Sequence, residues 1–202
     1  MFIRNRNAEM RQIKWCLLTS GYGRSALTLL KLYKEGELGH NQVALIIYDR
    51  EPSGAYRLAS EMGVPALQIK KANYNKRQDF EDAIRLECVK FDIDYIFLLG
   101  FNYLLKYNLL KEYNKRIVNV HPSLLPAFKG KRAIQQAMEA GVKVTGLTTH
   151  IIDEKVDEGK ILYQEAIKIN SSMSFEEIDE LYMNSAPSVL KKTMDIASAL
   201  PN

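Results

Sequence analysis

Cysteine is scarce in this 202-residue chain: Cys16 and Cys88 are the only two, and both stand among apolar neighbours. Two cysteines exclude a disulfide framework and a four-cysteine zinc site. Long apolar runs are missing too; no stretch approaches the ~20 residues of a membrane-spanning helix. Arg4 and Arg6 near the start are followed by no apolar core, so a signal peptide is not expected and the chain reads as cytoplasmic. Neither sign of charge dominates. With 28 basic and 24 acidic residues the net charge is +4, without a dense basic run. That balance argues against nucleic acid or membrane as a partner and suits an enzyme for small anionic substrates. Repeats and low-complexity segments are also absent. What is there, 47% hydrophobic and 26% charged residues, is the composition of one ordinary globular domain. Residues 1–12 are mostly polar and are expected to be flexible, which leaves 13–202 as the domain. Both a monomer and a homodimer fit such a chain.

Four continuous apolar runs stand out: Trp15 to Thr19, Val43 to Tyr48, Tyr95 to Leu99 and Ile117 to Val120. Continuous rather than alternating apolarity means burial on both faces, as in a parallel sheet. Between the runs, residues 25–34, 77–91 and 131–140 carry apolar side chains at helical spacing, and Gly141 supplies a stop for the third. Ser174 with Glu177 forms a capping box ahead of a helix running to about residue 195, with a kink or break expected at Pro187. Val144 to Ile152 and Lys160 to Ile169 read as two successive strands joined by the acidic loop Asp153 to Gly159. The pattern predicts a single-domain α/β fold, a mostly parallel twisted sheet with flanking helices and a Rossmann-like N-terminal half.

Three segments carry chemistry. Gly21-Tyr22-Gly23-Arg24-Ser25-Ala26 follows the first strand and opens a helix, so its glycines bring backbone N–H groups to an anion. Asp49 lies 23 residues beyond Ala26, where a dinucleotide fold places its ribose-binding acid. A tight turn, an anion site and a full dinucleotide site all satisfy this pattern. Asn119 and His121 end the fourth run and, two apart in an extended chain, point to one side. Pro122 and Pro126 stiffen the exit loop. That histidine is either structural or catalytic. The acidic loop holds four acids in seven residues without the spacing of a calcium loop. It is either a solvated turn, a cation site, or the source of an acid that orients His121.

Residues 117–130 (IVNVHPSLLPAFKG) and 145–162 (TGLTTHIIDEKVDEGKIL) together resemble the folate-dependent formyltransferases, and the similarity extends over about residues 13–190. Within that family the stretch is most like the branch that formylates glycinamide ribonucleotide in purine biosynthesis. The resemblance implies 10-formyltetrahydrofolate as co-substrate, a small-molecule amine as acceptor and no metal. It assigns catalysis to Asn119, His121 and Asp157, and the acceptor's phosphate to Gly23, Arg24 and Ser25. It assigns the folate to Arg77, to Asn102, Tyr103, Leu104 and Leu105, and to the acidic loop from Asp153. His150 matches a strand histidine of the family, and a cis bond before Pro126 is expected.

The chain also departs from the family. Arg24-Ser25 stands where the phosphate loop has Ser-Asn, and Asn102-Tyr103-Leu104-Leu105 replaces Met-Arg-Ile-Leu. Lys129 and Arg132 replace a proline and a histidine. By count from Asp157, the acceptor-side glutamate of the last helix falls about Ala186. These differences keep a second acceptor open, an amino sugar on a nucleotide. A dinucleotide-binding oxidoreductase is the remote alternative, since it leaves Asn119, His121 and Asp157 without a use.

Overall fold

The computed structural model describes residues 11–51, 53–153 and 156–200. In chain order its elements are β1 (Ile13–Thr19), α1 (Arg24–Lys34), β2 (Asn41–Tyr48), α2 (Gly54–Glu61), β3 (Ala66–Gln68), a 3₁₀ turn (Lys71–Asn73), α3 (Arg77–Lys90) and β4 (Tyr95–Leu99). Then come α4 (Asn108–Glu112), β5 (Ile117–His121), α5 (Ala133–Glu139), β6 (Val144–Ile151), β7 (Ile161–Lys168) and α6 (Phe175–Ser198). The seven strands form one sheet in the order β3-β2-β1-β4-β5-β6-β7. β1 to β5 are parallel, and β6 and β7 continue the sheet antiparallel.

The apolar runs are buried on both faces, as their continuity predicts. Trp15 and Leu17 of β1 pack with α1, α2 and α6. Cys16 and Leu18, one residue out of phase, pack with α3 and α4 on the other side. A smaller cluster joins β6 and β7 to α5 and α6 through Leu147, Ile167, Ile178 and Val189. Both cysteines are buried and free. Among the described residues no helix is long and apolar enough to cross a membrane.

The expected helices are present, with α1 beginning at Arg24 and α5 two residues later than its pattern suggests. The Ser174–Glu177 capping box is formed in both directions. Of the kink or break expected at Pro187, the break is corrected: α6 runs unbroken through it for 24 residues. Proline removes one backbone bond there, but Ile178, Tyr182, Ala186, Val189, Leu190 and Met194 are buried along the helix. The apolar area they remove from water outweighs the lost bond. Of residues 1–12, only Arg11 and Gln12 are described, and Arg11 pairs with Asp94 at 2.7 Å.

The strand order reverses between β1 and β4, because β2 and β3 extend one way and β5 onward the other. Loops leaving the carboxyl ends of β1 and β4 therefore part over a crevice, where open α/β sheets bind ligands. The two loops are tied together there by Asn102 N–H, which donates to Ser20 Oγ at 3.2 Å.

Candidate active site

Beside that crevice lies a cavity of about 350 Å³ walled by the carboxyl ends of β4 and β5 and the end of β6. Asn119, His121, His150 and Asp157 line it together with the run from Gly100 to Lys106. Antiparallel register sets Asn119 opposite His150 and His121 opposite Thr148.

Asp157 joins the two imidazoles. Its Oδ2 stands 3.4 Å from His121 Nδ1 and its Oδ1 3.5 Å from His150 Nε2. Gly130 N–H also donates to Oδ2, at 2.7 Å. Burial alone would push this carboxyl up. The hydrogen bond from His150, the Gly130 N–H and the charge of both imidazoles outweigh it, and Asp157 is lowered from 3.8 to about 2. It is an anion at any working pH. Its backbone is left-handed, with φ 52°; aspartate tolerates this better than most residues.

His121 Nε2 lies 2.8 Å from the carbonyl oxygen of Phe128. A carbonyl only accepts, so Nε2 carries a proton and Nδ1 is the nitrogen that meets Asp157. His150 Nδ1 faces the Ile151 carbonyl at 3.2 Å, and its Nε2 stands 3.2 Å from Asn119 Nδ2. A neutral His150 accepts the Asn119 N–H through Nε2, whereas a charged one donates from Nε2 to Asp157.

The loop from Pro122 to Gly130 is fixed from several sides. Thr148 Oγ1 accepts from Leu125 N–H at 3.0 Å and donates to the Ser123 carbonyl at 2.7 Å. Gln164 Nε2 donates to the Leu125 carbonyl at 2.9 Å, and Tyr182 Oη donates to the Pro122 carbonyl at 3.1 Å. Lys129 pairs with Glu158 at 2.9 Å, next to the Gly130–Asp157 bond. The Leu125–Pro126 bond is cis, as the resemblance implied.

The expected residues divide into two groups. Asn119, His121 and Asp157 share the cavity with Asn102, Tyr103, Leu104, Leu105 and Asp153. Gly23, Arg24, Ser25 and Arg77 do not line it. Gly23 caps α1 in a left-handed conformation, φ 73°, with no side-chain cap. Arg24 is drawn to α6, where its guanidinium meets both Asp179 oxygens at 2.6 and 2.8 Å. Arg77 donates from Nε to Glu81 at 3.1 Å. Asp49, the residue after β2, is buried with Arg50 Nε at 3.5 Å and does not line this cavity. Ala186 is buried in the core against α1 and β1 and does not line this cavity. Glu154 of the acidic loop lies outside the described residues, and among those described no cluster could hold a metal.

Several contributors escape a reading of the sequence. The Phe128 carbonyl and the Gly130 N–H are backbone groups and leave no residue signature. Glu81 does leave one. It sits on the apolar stripe of α3, three residues before Ile84 and seven before Cys88, and a charge on such a stripe signals a buried partner.

An open α/β sheet that brings an asparagine and a histidine at one strand end to an aspartate of the β6–β7 loop has the side-chain chemistry of an acid–base group-transfer enzyme. The chain belongs to the formyl transferase family, which it matches over residues 13–194. It is 33% identical to the phosphoribosylglycinamide formyltransferase of Bacillus subtilis, over 91% of this chain and 95% of that one. It is also 33% identical to the human trifunctional purine biosynthetic protein adenosine-3, over 85% of this chain, but it spans only 17% of that protein's length. The crystal structure of glycinamide ribonucleotide transformylase 1 from Symbiobacterium toebii superposes with a TM-score of 0.86 at 32% identity, covering 91% of this chain and 86% of that one.

Proposed function

We propose that this protein transfers a formyl group from 10-formyltetrahydrofolate to the primary amine of glycinamide ribonucleotide, a step of purine biosynthesis. The observation that carries the reading is that Asn119, His121 and Asp157 line one cavity together with the 102–105 segment, in a chain of this family. Residues 13–202 act as the catalytic domain. The amine nitrogen bonds to the formyl carbon and the carbonyl electron pair moves onto oxygen. Collapse breaks the bond to the folate N10, and a proton from the amine ends on that nitrogen. Stabilising the intermediate's negative oxygen is the main catalytic task. Asn119 donates a hydrogen bond to it. His121, held between the Phe128 carbonyl and Asp157, contributes positive charge to that oxygen. Asp157 keeps the imidazolium balanced. The N–H groups opening α1 hold the acceptor's phosphate.

The test is a turnover assay with 10-formyltetrahydrofolate and a panel of amines, following release of tetrahydrofolate. Release is expected with glycinamide ribonucleotide and in the presence of a chelator. Turnover of a nucleotide-linked amino sugar, with none of glycinamide ribonucleotide, would replace this acceptor. One observation keeps that second acceptor in play: among the described residues, α6 puts no side chain into the cavity.

A further inference from the structure

Glu81 of α3 is completely buried, in the company of Phe80, Ile84 and Cys88. Removing a carboxylate from water is costly unless its oxygens find donors. Both do, and each oxygen has a separate task. Oε1 accepts from Arg77 Nε at 3.1 Å. Oε2 accepts from the backbone N–H groups of Lys106 and Tyr107, both at 3.0 Å. The stretch that ends there, Gly100 to Lys106, lines the cavity along its whole length yet belongs to no helix or strand. Something other than regular secondary structure must hold it. Its first anchor is Asn102 N–H on Ser20 Oγ at 3.2 Å. Its second is the packing of Phe101 and Tyr103 on Phe80, with ring centroids 6.3 and 5.2 Å away. Its third is Glu81, which meets the segment's far end.

We infer that Glu81 is a positioning residue of the co-substrate site: one carboxylate sets the height of the Asn102–Lys106 wall and the direction of Arg77. The inference rests on the folate reading above. The charge matters as much as the shape. Three donors converge on the side chain, so an acceptor on both oxygens is required. Glutamine offers one acceptor and one amide nitrogen. Whichever way it turns, that nitrogen faces either the guanidinium or two backbone N–H groups, and a buried donor loses its partner. Asp82, the next residue, supplies a control. It ties the neighbouring α4 from outside, accepting from Asn108 Nδ2 at 3.1 Å, and it does not line the cavity.

The experiment titrates tetrahydrofolate into the wild-type protein and into Glu81→Gln and Asp82→Asn, and measures steady-state kinetics with 10-formyltetrahydrofolate. For Glu81→Gln, tetrahydrofolate should bind roughly tenfold or more weakly and the KM for 10-formyltetrahydrofolate should rise in proportion. The kcat at saturating co-substrate should stay within about threefold, with the amine KM unchanged. Asp82→Asn should bind like the wild type. Equal binding by wild type and Glu81→Gln, or a fall in kcat with KM unchanged, overturns the inference and leaves the folate reading standing. A wild-type protein that does not bind tetrahydrofolate overturns the folate reading and the inference with it. Should Glu81→Gln not fold, amide hydrogen exchange on the wild type decides. The Lys106 and Tyr107 amides should be protected although they lie outside regular structure, and more protected with tetrahydrofolate bound. Exchange as fast as in an exposed loop overturns the inference.

Discussion

On the β5–β6 side of the crevice, side chains do the positioning. Asp157 meets two imidazoles and a backbone N–H, Asn119 lies against His150, and Thr148 and Gln164 fasten the adjoining loop. On the β1 side the backbone does it. Gly23 caps α1 in a left-handed conformation with no side-chain cap, and the neighbouring arginine is turned toward Asp179. Sites of the first kind fail when one atom changes its charge. Sites of the second kind fail when a side chain changes the path of the chain, and tolerate much else.

Asp157→Asn should produce the largest effect, because it keeps the shape while removing the charge that faces His121. Losing one electrostatic group at a developing charge costs on the order of 2.7–4 kcal/mol, or roughly 10²–10³ in kcat. Asn119→Ala should cost a similar amount, and the double variant less than the sum, since both serve one intermediate. An Asp157→Asn enzyme with wild-type kcat would refute the assignment.

Gly23→Val tests the other side. The substituted residue would hold a left-handed conformation, at a cost of roughly 1–2 kcal/mol, and its Cβ would press on Thr19 Oγ1 at 3.0 Å and Ala55 Cβ at 3.2 Å. Stability should drop and the KM for the amine should rise, while tetrahydrofolate binding holds. Equal weakening of both ligands would mean that the loop serves the fold rather than the acceptor.

Acid titration sharpens the contrast further. Asp157 is lowered from 3.8 to about 2 in the folded protein. The folded state therefore binds the proton less readily than the unfolded chain. Its contribution to stability is full above about 4 and is lost as the pH falls toward 2. Denaturant melts of wild type and Asp157→Asn should converge across that window. Parallel curves would deny the carboxylate its partners.

The smallest effects belong to the exposed pairs. Arg24→Ala breaks a surface contact with Asp179, and Glu158→Gln one with Lys129. Each should change stability by about 0.2–1 kcal/mol. Glu158→Gln should leave kcat untouched, which makes it the neighbouring control for Asp157.

Sequence patterns disclose these regions unequally. β1, β2, β4 and β5 were legible because burial on both faces writes unbroken apolar runs. β3 was not, being only three residues long and directly following Pro65, and α2 and α4 are short helices of eight and five residues. Asn119 and His121 were legible because two residues in an extended strand share a side. The contact of Asp157 with His121 is a tertiary meeting across 36 residues, which spacing alone cannot separate from a solvated turn; only the family resemblance singled it out. Arg77 shows the opposite case. Its type and place were legible, yet in the structure its Nε is engaged by Glu81, an acid that the helical pattern left unremarked. At Pro187 a sound local rule met a larger opposing term, the buried face of α6.

Gly159 turns the chain from Asp157 into β7, and a side chain at that position would collide with the carbonyl oxygen of Ile151. The short run from Asp157 to Ile161 therefore behaves as a ruler. One inserted residue lengthens it by up to ~3.5 Å, as much as the 3.4 Å that separates the carboxylate from His121. Descendants of this chain can drift in the charges at 158 and 160, but neither the length nor the glycine can change without uncoupling the aspartate. Anyone grafting loops to alter the acceptor has to leave that spacer as it is.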